Sequence, residues 1–370
     1  MRPAARLVCR AVLVGMLAGG ASWGASWGAS PVRAQERAAH APLPRSTLAV
    51  WDDVKAYVPF WWSDSAGGSQ VAAPQARRPS SVRTVLLRGA VAEPRASGVT
   101  LQRIRLQGDG EAWRTELVVV VLDPARVRLS LDTATTSGRR AWTLDRAPAA
   151  AVMAVNAGQF VAELPWGWVV LDGHQFLPPG RGPLATTVAV DAAGRVTWHH
   201  GGTTPPLGAV RWAFQSYPTL VVGGQVPMPL TRADGGLDVA HRDARLAIGV
   251  RSDGALVIAM TRFGALGDRL GFLPFGLTVP EMSGVMRGLG AQDAVLLDGG
   301  ISAQLLVRRL DGREDRWSGV RAVPLALLAL PLNATKSAKS LPPNNLPECM
   351  SKCVSIAYLG DQLSKSSHCK

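Results

Sequence analysis

Cysteine and lysine are scarce in this chain, and both are unevenly placed. Of four cysteines, Cys9 lies near the start and Cys349, Cys353 and Cys369 near the end. The long middle has none, which excludes a disulfide framework and a cysteine nucleophile there. Lysine occurs once before residue 335, at Lys55. After the first 34 residues no segment holds 18 uninterrupted apolar residues, so no stable membrane insertion is expected of the mature chain. No block of five like charges occurs, which argues against a nucleic-acid arm. The chain also lacks a G-x-S-x-G elbow, an H-E-x-x-H pair and a P-loop, and GLGAQDA lacks the third glycine of a dinucleotide fingerprint. Its six histidines are scattered, and His199-His200 reads as a surface pair. Neither a metal site nor a cofactor is expected.

What is present is an apolar, basic chain of 370 residues, 47% hydrophobic and 18% charged, with a formal net charge of +13. MRPAARLVCR places Arg2, Arg6 and Arg10 ahead of AVLVGMLAGGA, and Val32-Arg33-Ala34 suits signal peptidase. Residues 1–34 therefore read as a signal peptide, which predicts a periplasmic or secreted protein; an uncleaved anchor is the alternative. This segment holds four arginines and no acids, leaving +9, and the lysine-rich end removes a further +3, so the body carries about +6. That is a weakly basic surface compatible with anionic ligands.

Composition divides the rest. Residues 35–112 read as a linker and N-terminal extension, rich in Pro, Ala, Ser and Gly, with a docking segment, helix or strand, in VWDDVKAYVPFWW, whose Trp51, Val54, Tyr57 and Val58 recur at helical spacing. Residues 113–332 read as the folded domain. Residues 333–370 are an appended tail of foreign composition; its Cys349-x3-Cys353 with His368 and Cys369 fits no standard zinc spacing.

Within the domain, strand signals dominate. TELVVVVLDPARVRLSLDTA reads as a strand pair around a D-P turn, and WGWVVLDGHQFLP and TTVAVDAAGRVTWHH as hairpins. RLAIGVRSDGALVIAMTRF is a third hairpin with S-D-G at its tip, which brings its outer ends, Arg245 and Arg262, near each other. One helix is clear: Thr278-Val279-Pro280-Glu281 is a capping box, and Val279, Met282, Val285, Met286 and Leu289 form one apolar stripe. The fold class is α+β, a strand-rich domain with few helices and mixed strand pairing.

The helix delivers the chain into AVLLDGGISAQLLV, where two apolar runs are interrupted by an acid, two glycines and a serine. Either this is a tight turn, or the chain is bent to hold Asp298 against something, since burying an unpaired carboxylate is costly. Asn156, Arg245, Arg262 and Asp298 each end or begin an apolar run, and ligands collect where strands end in loops. Gly158, Gly299 and Gly300 beside them let backbone amides approach a ligand. An acid, two guanidiniums and an amide suit a sugar bearing a phosphate: Arg245 and Arg262 for phosphate, Asn156 for sugar hydroxyls, Asp298 for proton transfer or attack. Ser302 reads as a hydroxyl bonding the turn. Glycosidases commonly use two carboxyl groups, and Glu163, Asp172, Asp268 and Asp293 are candidates for the second. Trp166 and Trp168 share a strand face and suit either core packing or a sugar platform.

Residues 278–302, TVPEMSGVMRGLGAQDAVLLDGGIS, resemble the capped helix and L-D-G-G-G-S signature of the phosphodiester glycosidase family. VNAGQF at 155–160, SYPTLVVGG at 216–224 and RLAIGVRSDG at 245–254 resemble further blocks of that family, in its order. The resemblance implies hydrolysis of the bond between a sugar's anomeric carbon and a phosphodiester. It implies a sugar-phosphate or polysaccharide substrate, with Asp298 and Arg245 catalytic and Asn156, Gly158, Arg262, Gly299, Gly300 and Ser302 substrate-binding. Ala157, Gln159, Leu246, Thr261 and Ile301 depart from the family pattern, and Ile301, in place of the third glycine, narrows backbone freedom beside Asp298. A non-catalytic polysaccharide-binding protein of the cell envelope is the alternative, and an ordinary glycosidase on unphosphorylated glycans a third.

Overall fold

The computed structural model describes residues 49–51, 57–59, 92–107, 115–134, 141–161, 163–230, 241–264 and 275–332. The signal segment, Asp268, the C-terminal tail and its cysteines lie outside the described residues. Three antiparallel sheets make the body. The first runs in the order β15 (Thr219–Val221), β18 (Ala291–Leu297), β16 (Leu246–Arg251), β17 (Leu256–Phe263), β5 (Thr115–Leu122), β4 (Val99–Gln107), β1 (Ala49–Trp51) and β2 (Tyr57–Pro59), with β3 (Glu93–Pro94) also on β4. The second runs β20 (Glu314–Trp317), β19 (Leu305–Arg308), β7 (Met153–Asn156), β21 (Leu325–Pro331), β6 (Val127–Thr133). The third runs β11 (His174–Leu177), β10 (Val169–Leu171), β14 (Trp212–Ser216), β12 (Thr186–Val190), β13 (Val196–His200). A small hairpin, β8 (Phe160–Val161) with β9 (Leu164–Pro165), stands apart, and one helix, α1 (Val279–Gly288), lies on the first sheet.

The first sheet is buried on both faces, which explains why TELVVVVL is a continuous apolar run. Val118, Val120, Ile248, Ile258 and Val295 meet Val155, Leu305 and Leu327 of the second sheet and Val188 and Phe214 of the third. On the other face Leu117, Val119, Ala247 and Leu296 pack against Val279, Met282, Val285 and Met286 of the helix. Alternation would fail here because neither face sees water.

The strand-rich class with a single described helix holds, and three of its details change. Every pairing among the described strands is antiparallel, so the sheets are not mixed. The D-P turn does not close a hairpin: β5 and β6 lie in different sheets, and the turn carries the chain across the core. The folded body also begins before residue 113, since β4 pairs with β5 from Val99↔Leu122 to Leu106↔Thr115 and buries Leu101 and Ile104. Of the helix or strand expected around Trp51, the strand is the form taken by Ala49–Trp51 and Tyr57–Pro59, β1 and β2.

The capping box is present, with the Glu281 amide donating to Thr278 Oγ1 at 3.3 Å and the Thr278 amide to Glu281 Oε2 at 2.9 Å. Arg242 adds a bidentate pair to the same carboxylate, 2.6 Å to each oxygen, and the Glu281 side chain is only 2% exposed. Glu281→Ala removes the acceptor of the Thr278 amide, leaves the Thr278 hydroxyl cap in place, and strands a half-buried guanidinium, so a loss of about 3–5 kcal/mol is expected in chemical denaturation.

Candidate functional site

Strands β16 and β18 run antiparallel with Leu246 opposite Leu297, so Asp298 is the residue at which the buried strand emerges. Extending this register by one sets Arg245 opposite Asp298. Beyond it the Gly300 amide donates to Ala244 O at 2.7 Å. On its other side Asp298 meets the end of β7: its amide donates to Gly158 O at 2.9 Å, and Asn156 Nδ2 donates to its carbonyl at 2.8 Å. Gly158 takes φ +67°, which a side chain would resist. The Asp298 backbone thus joins the first sheet to the second.

Asn156, 1% exposed, uses its other amide atom as well, Oδ1 accepting from the Gln304 amide at 3.0 Å. Its side chain is committed to main chain on both sides of the 298–304 turn. It positions Asp298, whereas the sequence suggested contact with sugar hydroxyls. Asn156→Leu leaves Asp298 O and the Gln304 amide unpaired and is expected to lower stability by about 2–4 kcal/mol, measurable by urea denaturation.

Burial raises the Asp298 pKa above the ordinary carboxylate value, a hydrogen bond from Ser302 and the charge of Arg321 pull it down, and the charge of Asp243 pushes it up again. Asp243 is the neighbouring carboxylate that sequence reasoning missed. Its Oδ1 accepts from the Ala244 amide at 2.8 Å, and its Oδ2 lies 2.8 Å from where a Cβ on Gly300 would stand. Gly300 has φ +55°, and Gly299 would place a Cβ 2.3 Å from Ala244 O. The two glycines of the signature are therefore demanded by the close approach of β16's entry strand. Ile301 needs no such freedom: it is 49% exposed and does not take a positive φ, so the missing third glycine does not restrict Asp298.

Arg321 marks the mouth. Its amide donates to Ile301 O at 3.0 Å, and its guanidinium carbon sits 4.7 Å above the Phe160 ring. A cation from the loop between β20 and β21 thereby stands beside the Asp298 carboxyl, with no motif around it to signal this in the sequence.

Arg245 and Arg262 are not brought together. Thr261 is the residue opposite Arg245, its amide donating to Arg245 O at 2.8 Å, so Arg262 falls on the opposite face of the sheet. Arg262 is 7% exposed, in register with Glu116. Arg245 donates from Nε to Leu277 O at 2.9 Å and from Nη2 to His241 O at 2.6 Å, bracing the approach to the helix.

The other carboxylates stand elsewhere. Asp293 bonds His200 Nε2 at 2.8 Å, Asp172 pairs with Arg211 at 3.3 Å, and Glu163 is exposed on the β8–β9 hairpin. His200 thus joins β13 to β18, and is no mere surface residue. Among the described residues no group of three His, Cys, Asp or Glu is placed to hold a metal ion. The two tryptophans part company: Trp168 is 2% exposed and donates to Gln175 Oε1, while Trp166 is half-buried with its ring 5.0 Å from that of Tyr217. Gln159 ties this pair to the site, donating to Tyr217 O at 3.2 Å and accepting from the Trp166 amide at 2.8 Å.

Residues 149–330 match the model of the phosphodiester glycosidase family. Among solved structures, the catalytic domain of zebrafish N-acetylglucosamine-1-phosphodiester alpha-N-acetylglucosaminidase, described as auto-inhibited by its pro-peptide, aligns at 13% identity with a TM-score of 0.46, covering 67% of this chain and 92% of that one. A hypothetical protein from Synechocystis aligns at 18% identity with a TM-score of 0.42, over 65% of this chain and 64% of its own, just under two thirds of its length. No curated protein sequence matches. The segment that matches the family model contains Asn156, Asp243, Asp298, Ser302 and Arg321, and across residues 149–330 the chain carries a domain of the phosphodiester glycosidase family.

Proposed function

We propose that this protein is an exported hydrolase of glycosyl-1-phosphodiesters in envelope or extracellular glycans, with Asp298 as its catalytic base. The observation that carries the reading is the pair of neighbouring carboxyl groups, Asp298 and Asp243, with the Arg321 cation beside them, all inside the family segment. The signal-type N-terminus supports export, and among the described residues no helix is long and apolar enough to cross a membrane.

In this reading the Asp298 carboxylate takes a proton from the water that attacks the anomeric carbon. The new bond runs from water oxygen to carbon, and the carbon–oxygen bond to phosphate breaks, its electron pair leaving with the phosphomonoester. A phosphomonoester is a good leaving group, and Arg321 balances its charge, so a second full proton transfer is not required. Burial makes the Asp298 carboxylate a stronger base than a solvated one, and the Asp243 charge adds to this. Asn156 and Ser302 hold the turn, and Arg245 braces β16 behind it.

The test is release of free sugar from a synthetic sugar-1-phosphodiester, followed against pH. Turnover is expected to rise as Asp298 ionises, above the usual carboxylate range. Asp243→Asn removes a like charge and should move that acid limb to lower pH; Arg321→Ala removes an opposite charge, moves it to higher pH and raises KM. An unchanged limb in both variants rejects these roles. Saturable glycan binding without product after prolonged incubation would replace hydrolysis by the binding reading.

A further inference from the structure

Arg321 is held at both of its ends by segments that also hold Asp298. At the backbone, the Arg321 amide donates to Ile301 O at 3.0 Å, the Val320 amide donates to the same oxygen at 2.8 Å, and Gln304 Nε2 reaches Arg321 O at 3.5 Å. Ile301 and Gln304 both belong to the turn that follows Asp298. Gly319 approaches this turn so closely that a Cβ on it would stand 3.0 Å from Ser302 O and 3.1 Å from Ile301 O. At the other end the guanidinium carbon sits 4.7 Å from the centroid of the Phe160 ring. That ring is anchored in turn. It packs against the buried cluster of Trp142, Leu144, Ala154 and Leu306, and Phe160 follows closely on Gly158, whose carbonyl accepts the Asp298 amide at 2.9 Å.

From this arrangement we infer that Phe160 is a positioning residue of the site: its ring fixes the Arg321 guanidinium beside the Asp298 carboxyl, where the cation meets the leaving phosphate. The inference rests on the hydrolase reading above. An arginine side chain turns about several bonds, and anchoring its backbone alone leaves the charge able to swing out into water. A carboxylate would pin the guanidinium and cancel its charge. An aromatic face attracts the cation through the ring quadrupole and carries no net charge, so the cation stays available to an anion. Two charged side chains act on the Asp298 carboxyl: Arg321, which favours its ionised form, and Asp243, which opposes it. Loss of the ring face therefore takes a counter-charge from Asp298 and a partner from the phosphate together. Packing alone would do neither.

The experiment follows release of free sugar from a synthetic sugar-1-phosphodiester against pH, by the full chain and by Phe160→Leu, Phe160→Tyr, Arg321→Ala and the Phe160→Leu/Arg321→Ala double variant. Leucine keeps the apolar contact with the buried cluster and lacks the ring face. Phe160→Leu is expected to raise KM about three- to tenfold and to move the acid limb to higher pH, the direction expected of Arg321→Ala. Tyrosine restores the aromatic face, so Phe160→Tyr should stay within about twofold of the parent in KM with its limb in place. With Arg321 already removed, Phe160→Leu should change KM by less than about twofold and leave the limb where Arg321→Ala put it. Neither KM nor the limb depends on how much of a variant is folded, and Phe160→Met gives the same readings should the leucine variant not fold. An unchanged KM and limb in Phe160→Leu, whatever its melting temperature, reduces the ring to packing and overturns the inference. So does a change that persists in the Arg321→Ala background, or a tyrosine variant that behaves as leucine does. Those outcomes leave the hydrolase reading standing; a parent that releases no sugar rejects that reading, and the role of Phe160 falls with it.

Discussion

Asp298→Asn is expected to reduce hydrolysis of a sugar-1-phosphodiester by roughly 10²–10⁴-fold and, at neutral pH, to make the protein more stable. The first effect follows from losing the group that accepts the water's proton in the proposed mechanism. The second follows from the cost of holding the carboxylate where it is. Burial, and secondarily the Asp243 charge, raise its pKa above the ordinary carboxylate value of 3.8, so the folded state holds the proton more tightly than the unfolded chain. Below pH 3.8 the group is protonated in both states and imposes no penalty. As pH rises from there the unfolded chain ionises first, stability declines, and the loss is complete once the folded state has ionised too. The neutral amide does not titrate, and it keeps a partner for the Ser302 hydroxyl. The stability advantage of the variant should thus be absent in acid and present at neutral pH, where its melting temperature should exceed that of the parent. Parallel melting curves at all pH values would show that Asp298 carries no such burden.

Gly299→Ala should have a severe effect on folding for a single added methyl. Its Cβ would lie 2.3 Å from Ala244 O and 3.4 Å from Ala244 C, atoms of the backbone itself. Nor can that carbonyl yield freely, because it accepts the Gly300 amide at 2.7 Å. Relief requires β16's entry segment and the 298–302 turn to separate, which displaces Asp298 and breaks its bonds to Gly158 and Asn156. A loss of about 3 kcal/mol or more is expected in denaturant titration, together with loss of turnover in whatever fraction folds. Ile301→Gly is the informative control. It adds the glycine that the family signature carries, at a position exposed and free of any such contact, and should change stability by less than about 1 kcal/mol. A mild effect at Gly299 with a severe one at Ile301 would mean that the turn is read one residue out of place.

Much of the local architecture was legible without coordinates. The capped helix, the β10–β11, β12–β13 and β16–β17 hairpins and the position of Asp298 at the end of a buried strand each depend on residues within one short segment, where period, turn chemistry and capping groups are visible. The facing of Arg245 and Arg262 was also within reach: counting back from the S-D-G turn puts Thr261 opposite Arg245, and the pleat then sends Arg262 to the other side. Nearness of two strand ends does not make two side chains converge. Three things were out of reach. The D-P turn after β5 looks the same whether it closes a hairpin or passes between sheets. Asp243 sits in R-D-A-R with no periodicity to mark it, and Arg321 lies in the short loop SGVRAVP, which carries no motif.

Backbone patterning and glycine placement are written along the chain because hydrogen-bonded turns and alternating faces are set by neighbours a few residues apart. They determined that this is a strand-rich domain and that Asp298 stands where a buried strand emerges. Which groups meet Asp298 depended on closing loops of more than 100 residues, from Asn156 across to Gln304, and on a shared apolar core between three sheets that no local pattern specifies. Only that packing set a second carboxylate and a cation beside the first, and turned Asn156 from a ligand of sugar into the brace of the acid.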